Sequence, residues 1–271
     1  MPRVPGFKPF HRLRAASGLA RDAVLAPILP RRPHILIACM PKSASTFLAT
    51  AIASLKGFER YRLIPDYSAR EQELCEIRLS RYNQKTYVAQ HHLRHSAWTA
   101  RLIEQYHLTP VVIVRDLADT AISLRDHFRR EPQGQGSTSR LQPHHAELPD
   151  NQLDAAIVRL TMPWYLNFYV GWRLVGDAPI FDYAQYTADP ATVIAQILDH
   201  AGCPRPRGEI DASLDRVDID KIAQFNVGVS GRGSQLGDEA KQALLDLIDI
   251  YDDFSNDPLF VKTRQTISAP A

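Results

Sequence analysis

Short apolar runs alternate along this chain with longer stretches whose apolar residues recur every three or four positions. The run His34-Ile-Leu-Ile-Ala-Cys39 is rich in branched residues and follows Pro33, the character of a strand buried on both faces. It leads into Met40-Pro41-Lys42-Ser43, after which Phe47, Leu48, Ala51, Ile52 and Leu55 fall at helical spacing, with Gly57 in the stop position. The same grammar recurs: 86–90 predicts a strand, 96–106 a helix capped by Ser96, 111–114 a strand and 117–128 a helix. Farther along, 152–175 predicts a helix broken at Pro163, 179–183 a strand, 191–201 a helix between Pro190 and Gly202, and 238–251 an amphipathic helix. Strands that alternate with helices need crossover connections, so the expected fold class is α/β, a three-layer sandwich around a mostly parallel central sheet. No internal repeat or strong boundary divides it; the expected organisation is a basic arm over 1–32, one domain over 33–254 and a tail over 255–271.

Two segments lie outside this pattern. The stretch 129–151 is polar and carries Gly134, Gly136 and the pair His144-His145; a segment of that length inside a compact domain is functional or disordered, and a mobile lid or a ligand-contacting segment is the expected role. The segment Phe225-Asn-Val-Gly-Val-Ser-Gly-Arg-Gly233 is studded with glycine. The aromatic set Trp164, Tyr165, Phe168, Tyr169 and Trp172 suits core packing better than a ligand pocket.

Composition narrows the function classes. With 45% hydrophobic and 23% charged residues in 271, the chain has ordinary globular character, and no apolar run approaches the roughly 20 residues that span a bilayer. A net charge of +2 is too small for a general nucleic-acid binder. That total hides an asymmetry: residues 1–34 hold seven Lys and Arg against the single acid Asp22, so the body of the chain is mildly acidic. The basic start resembles an organellar transit peptide, although a solvated arm or a short surface helix accounts for it more simply, and a cytoplasmic location is expected. Cys39, Cys75 and Cys203 are odd in number and widely spaced, which argues against a disulfide scaffold or a structural zinc site.

Candidate chemistry gathers at strand ends. Lys42, Ser43, Ala44, Ser45, Thr46 and Phe47 sit where the first strand hands over to its helix. There, unpaired backbone N–H groups and the positive end of the helix dipole favour an anion, and Lys42 adds a mobile cation. An ordinary capped helix would explain the same residues, and the pattern is not a Walker A loop, because GxxxxGK[ST] is absent. In Val111-Val-Ile-Val-Arg115-Asp-Leu-Ala-Asp119-Thr-Ala-Ile-Ser123, Arg115 stands at a strand's C-terminal end and Ser123 two turns into the next helix. Together they are able to hold a phosphate; alternatively Arg115 pairs with Asp119 and Ser123 is exposed.

These two segments resemble the sulfotransferases that use 3′-phosphoadenosine 5′-phosphosulfate (PAPS). PKSASTFL is similar to the family's 5′-phosphosulfate loop, usually PKSGTTWL, and VIVRDLADTAISLRDH is similar to its 3′-phosphate motif. The resemblance implies a P-loop NTPase-like sulfotransferase fold, PAPS as co-substrate and no metal. His92, followed by Leu93, matches the family's general base, with His91 as the fallback; adjacent strand residues point to opposite faces, so only one of the pair should face the site. Tyr183 matches a tyrosine near the adenine. The segment Asn226, Val227, Gly228 resembles an Arg-Lys-Gly loop that closes on the 3′-phosphate, and Arg232 is expected to supply part of the charge that Asn226 and Val227 lack. Phe47 replaces a Trp.

A nucleotide kinase of P-loop type would need a carboxylate for magnesium, for which there is no clear candidate. A non-catalytic nucleotide-binding protein of the same fold would explain the Asn226-Val227 pair but not the retention of Lys42 and His92. The acceptor stays open among small molecules, sugars, lipids and peptides, and the oligomeric state stays open too, a homodimer included. Nucleic acid and integral membrane association are not expected.

Overall fold

The structure, a computed structural model, describes residues 32–65, 71–131, 138–218 and 230–270. Almost all of the basic arm therefore lies outside the described residues, as do Asn226, Val227 and Gly228. The strands are β1 (His34–Cys39), β2 (Glu59–Arg60), β3 (Tyr87–His91), β4 (Thr109–Val114) and β5 (Ile180–Asp182). Among and after them run α1 (Ser45–Ala53), α2 (Glu76–Tyr82), α3 (Ala97–Gln105), α4 (Leu117–Arg130), α5 (Asp150–Leu160), α6 (Met162–Val175), α7 (Tyr183–Ala188), α8 (Pro190–His200), α9 (Arg207–Asp215), α10 (Asp238–Asp249) and α11 (Pro258–Ser268).

The strand order is β2-β3-β1-β4-β5 and each neighbouring pair is parallel. A parallel sheet brings all its carboxyl ends to one edge, and here β1 is the switch point, with β3 on one side and β4 on the other. Register is set by strict alternation along β1. Ile35, Ile37 and Cys39 pack with Leu48 and Ile52 of α1 and Ile194 and Ile197 of α8. On the other face Ala38 and Met40 join α4, α5 and α6, and Leu36 meets Leu102 and Tyr106 around α3. A one-residue slip would exchange the two faces and set each side chain against the wrong helix layer, a misfit that costs about 1–3 kcal/mol where the packing is tight. The α/β three-layer expectation is met.

The break expected at Pro163 is present: 150–175 forms two helices joined at Thr161, because Pro163 lies in the first turn of α6, where no N–H is needed. Two other stretches differ from the sequence pattern. In the polar stretch, α4 runs on to Arg130 and a 3₁₀ turn forms at Pro143–Glu147. The Arg129 guanidinium donates to the carbonyls of Ala146 and Leu148 and to Asp150, which pins the described end of that stretch to α4. Beyond Phe254, where the sequence suggests a tail, α11 buries Leu259, Phe260, Thr263 and Ile267 against the core. Among the described residues, no helix is long and apolar enough to cross a membrane.

Candidate active site

The loop after β1 is the centre of the carboxyl edge. Its backbone leaves the sheet after Met40, whose N–H still donates to Ile113 of β4 at 3.0 Å. Lys42 and Ala44 then take left-handed conformations, with φ of 67° and 55°, and α1 begins at Ser45. For non-glycine residues each such conformation costs on the order of 1–2 kcal/mol, a strain that the packed strand and helix must hold. No side chain caps α1 and no acid occupies its first turn, so its N-terminal N–H groups remain a favourable seat for an anion. The Ser43 hydroxyl donates to the Met40 carbonyl at 2.6 Å and so holds the loop closed. Burial pushes the Lys42 ammonium down to about 8; Arg130 and Arg115 add to the shift, while Glu131 and Asp126 oppose it.

On the β4 side, Arg115 donates to the Lys42 carbonyl at 3.1 Å, with its guanidinium carbon 4.4 Å from the centre of the Tyr183 ring. Tyr183 opens α7 directly after β5, so the structure brings the loop, Arg115 and Tyr183 together. Ser123 is buried two turns along α4 rather than exposed. The Asp119 carboxylate turns the other way and accepts the N–H groups of Gly231 and Gly233 at 2.9 and 2.8 Å. It thereby ties the end of the glycine-rich segment to the helix that carries Ser123. Arg232, which begins the 3₁₀ turn Arg232–Gln235, is paired with Asp126 at 2.7 Å, so its charge is largely neutralised where it stands. Phe47 tilts against Tyr186, with ring centres 6.2 Å apart, and the Tyr186 hydroxyl donates to Ala44 at 3.4 Å.

On the β3 side the two histidines part. His91 is buried, its Nε2 accepts the Leu63 N–H at 2.9 Å, and burial holds its basicity down to about 3. His92 is half-buried beside β1. Its Nδ1 lies 3.0 Å from the Cys39 carbonyl oxygen and 3.4 Å from the Cys39 sulfur, and its backbone N–H donates to the Gln72 carboxamide at 2.8 Å. Burial works against charge on both partners, but their attraction outweighs it: His92 is raised above its ordinary value and the Cys39 thiol lowered below its own. Nearby, Glu71 accepts from Arg94 and from the Trp164 indole at 3.2 Å. Cys39, Gln72 and Glu71 carry no motif in the sequence; only the pairing of β3 with β1 brings the first of them to His92. Among the described residues no cluster of three or more His, Cys, Asp or Glu side chains is arranged to hold a metal.

Neither a model of any protein family nor any curated protein matches this sequence. Solved structures do match. A mouse sulfotransferase complexed with PAP, adenosine 3′,5′-bisphosphate, is similar over 93% of this chain and 95% of its own, with a TM-score of 0.60 at 15% identity. The chain has the sulfotransferase fold. Two others align with lower scores: a sulfotransferase from Alicyclobacillus acidocaldarius (TM-score 0.46, 13% identity, 89% of this chain and 98% of that one) and a retinol dehydratase in complex with androsterone and inactive cofactor PAP (TM-score 0.47, 14% identity, 89% and 86%). In this sulfotransferase fold the five parallel strands and the helices on both faces are those just described, and the Lys42 loop sits at their switch point.

Proposed function

We propose that this protein transfers a sulfonyl group from PAPS to a hydroxyl or amine of an acceptor, with His92 as general base. The observation that carries the reading is the order of groups along the carboxyl edge: His92 after β3, the Lys42 loop after β1, Arg115 after β4 and Tyr183 after β5. A cationic loop at a helix N-terminus suits the phosphosulfate. Arg115, Ser123 and Tyr183 on one flank suit the 3′-phosphate and its nucleoside. The base stands on the opposite flank, from which an acceptor must approach for in-line displacement.

The donor set fits such a nucleotide: an uncapped helix start with no acid in its first turn, an ammonium in the loop before it and a guanidinium hydrogen-bonded to that loop's backbone. PAPS, when bound, supplies the sulfonyl group and a bisphosphate leaving group. Lys42 counters the negative charge that grows on the leaving oxygen, and the N–H groups of Ser45 and Thr46 assist it. His92 keeps its Nδ1–H on the Cys39 carbonyl, which leaves Nε2 to take the acceptor's proton.

Calorimetry with adenosine 3′,5′-bisphosphate and with ATP tests the reading. Tight binding of the bisphosphate, weak binding of ATP and a loss of about tenfold or more in Arg115→Ala are expected. Equal affinity for both nucleotides, or no effect of the substitution, would sink it. Transfer of labelled sulfate to an acceptor panel then tests the base, since His92→Ala should lose about 10²–10⁴ in kcat.

A further inference from the structure

The base of the proposed reaction has an unusual neighbour. We infer that the Cys39 thiol is a positioning residue for His92: with its own carbonyl it holds the Nδ1 edge of the imidazole and raises the basicity of Nε2. The inference rests on the sulfotransfer reading for its purpose, but not for its geometry.

Cys39 ends β1, is fully buried, and points to the α1 face of the sheet. Three contacts surround its sulfur. The Gln90 carboxamide donates to it at 3.1 Å, His92 Nδ1 lies at 3.4 Å, and the His91 carbonyl accepts from the thiol at 3.4 Å. Gln90 is itself held by Arg60, which donates to its carboxamide oxygen at 3.1 Å. The chain Arg60, Gln90, Cys39, His92 therefore runs from the surface of β2 through β3 and β1 to the ring.

Each link has a direction. Arg60 orients the Gln90 carboxamide, oxygen toward the guanidinium, so the amide N–H must face the sulfur. That donor stabilises negative charge on sulfur. Electron density there, beside Nδ1–H, stabilises the imidazolium, as a second partner does for any basic histidine. A proton abstracted from an acceptor arrives at Nε2, turning a neutral ring with Nδ1–H into an imidazolium whose Nδ1–H still points at the carbonyl and sulfur of Cys39; no other bond changes.

The charged and titratable groups that act on this pair come from several elements: Lys42 from the loop against the imidazolium, Arg60 from β2 in favour of the thiolate, and Tyr165 from α6 near the sulfur, while the neighbouring His91 of β3 is held neutral by burial. Burial and Lys42 both oppose a proton on His92, and the contact with Cys39 is what counters them.

Histidine NMR on the full chain, with ¹⁵N-labelled imidazoles and His92 assigned by its absence in His92→Gln, reads the pair without turnover. In the wild type the neutral ring should carry its proton on Nδ1. In Cys39→Ala the His92 midpoint should fall by about one pH unit, because the side-chain partner of the charged form is gone. Cys39→Ser, nearly isosteric and still an acceptor, should lie between the two and carries the test if the alanine variant does not fold. The acid limb of kcat should move down with the midpoint, while the Kd for adenosine 3′,5′-bisphosphate stays within about twofold, since a positioning role touches the base and not the nucleotide. Wild-type midpoints in both variants, or a wild-type ring protonated on Nε2, would overturn the role of Cys39 whatever reaction the protein catalyses. Shifted midpoints in a protein that neither binds the bisphosphate nor transfers sulfate would support the pair and overturn the sulfotransfer reading instead.

Discussion

Lys42 and His91 are both bases whose charged form burial disfavours, with different consequences for function and for stability. Burial lowers the Lys42 ammonium to about 8, and on the proposed reading a phosphosulfate or bisphosphate bound beside it would raise it again. Affinity for adenosine 3′,5′-bisphosphate should therefore decline as pH rises through about 8, approaching about tenfold per unit above it, and calorimetry from pH 7 to 9 should find a flat profile in Lys42→Met. His91 acts on the fold. Its basicity falls from 6.5 to about 3 because a charged ring would be buried and would lose the Leu63 N–H bond. The folded state thus binds fewer protons than the unfolded one, so the stability from this residue is present above about pH 6.5 and is lost as pH falls toward 3. Urea midpoints at pH 7, 6 and 5 should drop by the equivalent of about 0.7 kcal/mol over the first unit and by an amount approaching about 1.4 kcal/mol per unit below it, and His91→Gln should flatten the decline. At this scale the sequence was legible where position follows chain order: Lys42 after β1, Arg115 after β4 and Ser123 in the next helix, the residues on which the proposed anion site rests. Which of two adjacent histidines faces the site was narrowed by strand alternation, yet the partner of each ring comes from another segment.

Among the elements, α4 does the most joining. Its first residues follow Arg115, Ser123 lies in its middle, and Asp119 anchors the turn that ends the glycine-rich segment. That turn approaches α4 closely at Gly233, where an added Cβ would lie 2.4 Å from the Ala118 Cβ and 2.8 Å from the Ala118 carbonyl carbon and Thr266 Cγ2. Gly233→Ala must push backbone from backbone, so thermal unfolding should reveal a loss of about 1–3 kcal/mol. A melting temperature equal to that of the wild type would mean the turn is not seated on α4 in solution. The sequence marked this segment by its glycines, but the need for Gly233 arises from a helix more than a hundred residues earlier and could not be read locally.

Over the whole molecule, the residues after Phe254 change from an apparent tail to part of the core. Phe260 is fully buried against α6 and its neighbours Tyr169 and Tyr251, and Thr263 accepts the Leu117 N–H at the start of α4. Phe260→Ala should cost about 3–5 kcal/mol in denaturant titration, a loss no dispensable tail would produce. The polar spacing of α11 conceals this, because a helix that offers only one narrow stripe to a core has weak periodicity. By itself the sequence determined the α/β class, the parallel sheet and the position of the Lys42 loop between strand and helix, since periodicity, helix boundaries and the Lys42 segment are local patterns. Only the tertiary structure decided that His92 meets Cys39, that Asp119 holds the glycine-rich turn and that α11 closes the core. Each of these joins residues from separate elements, and strand order and packing, not spacing along the chain, set the distances between them.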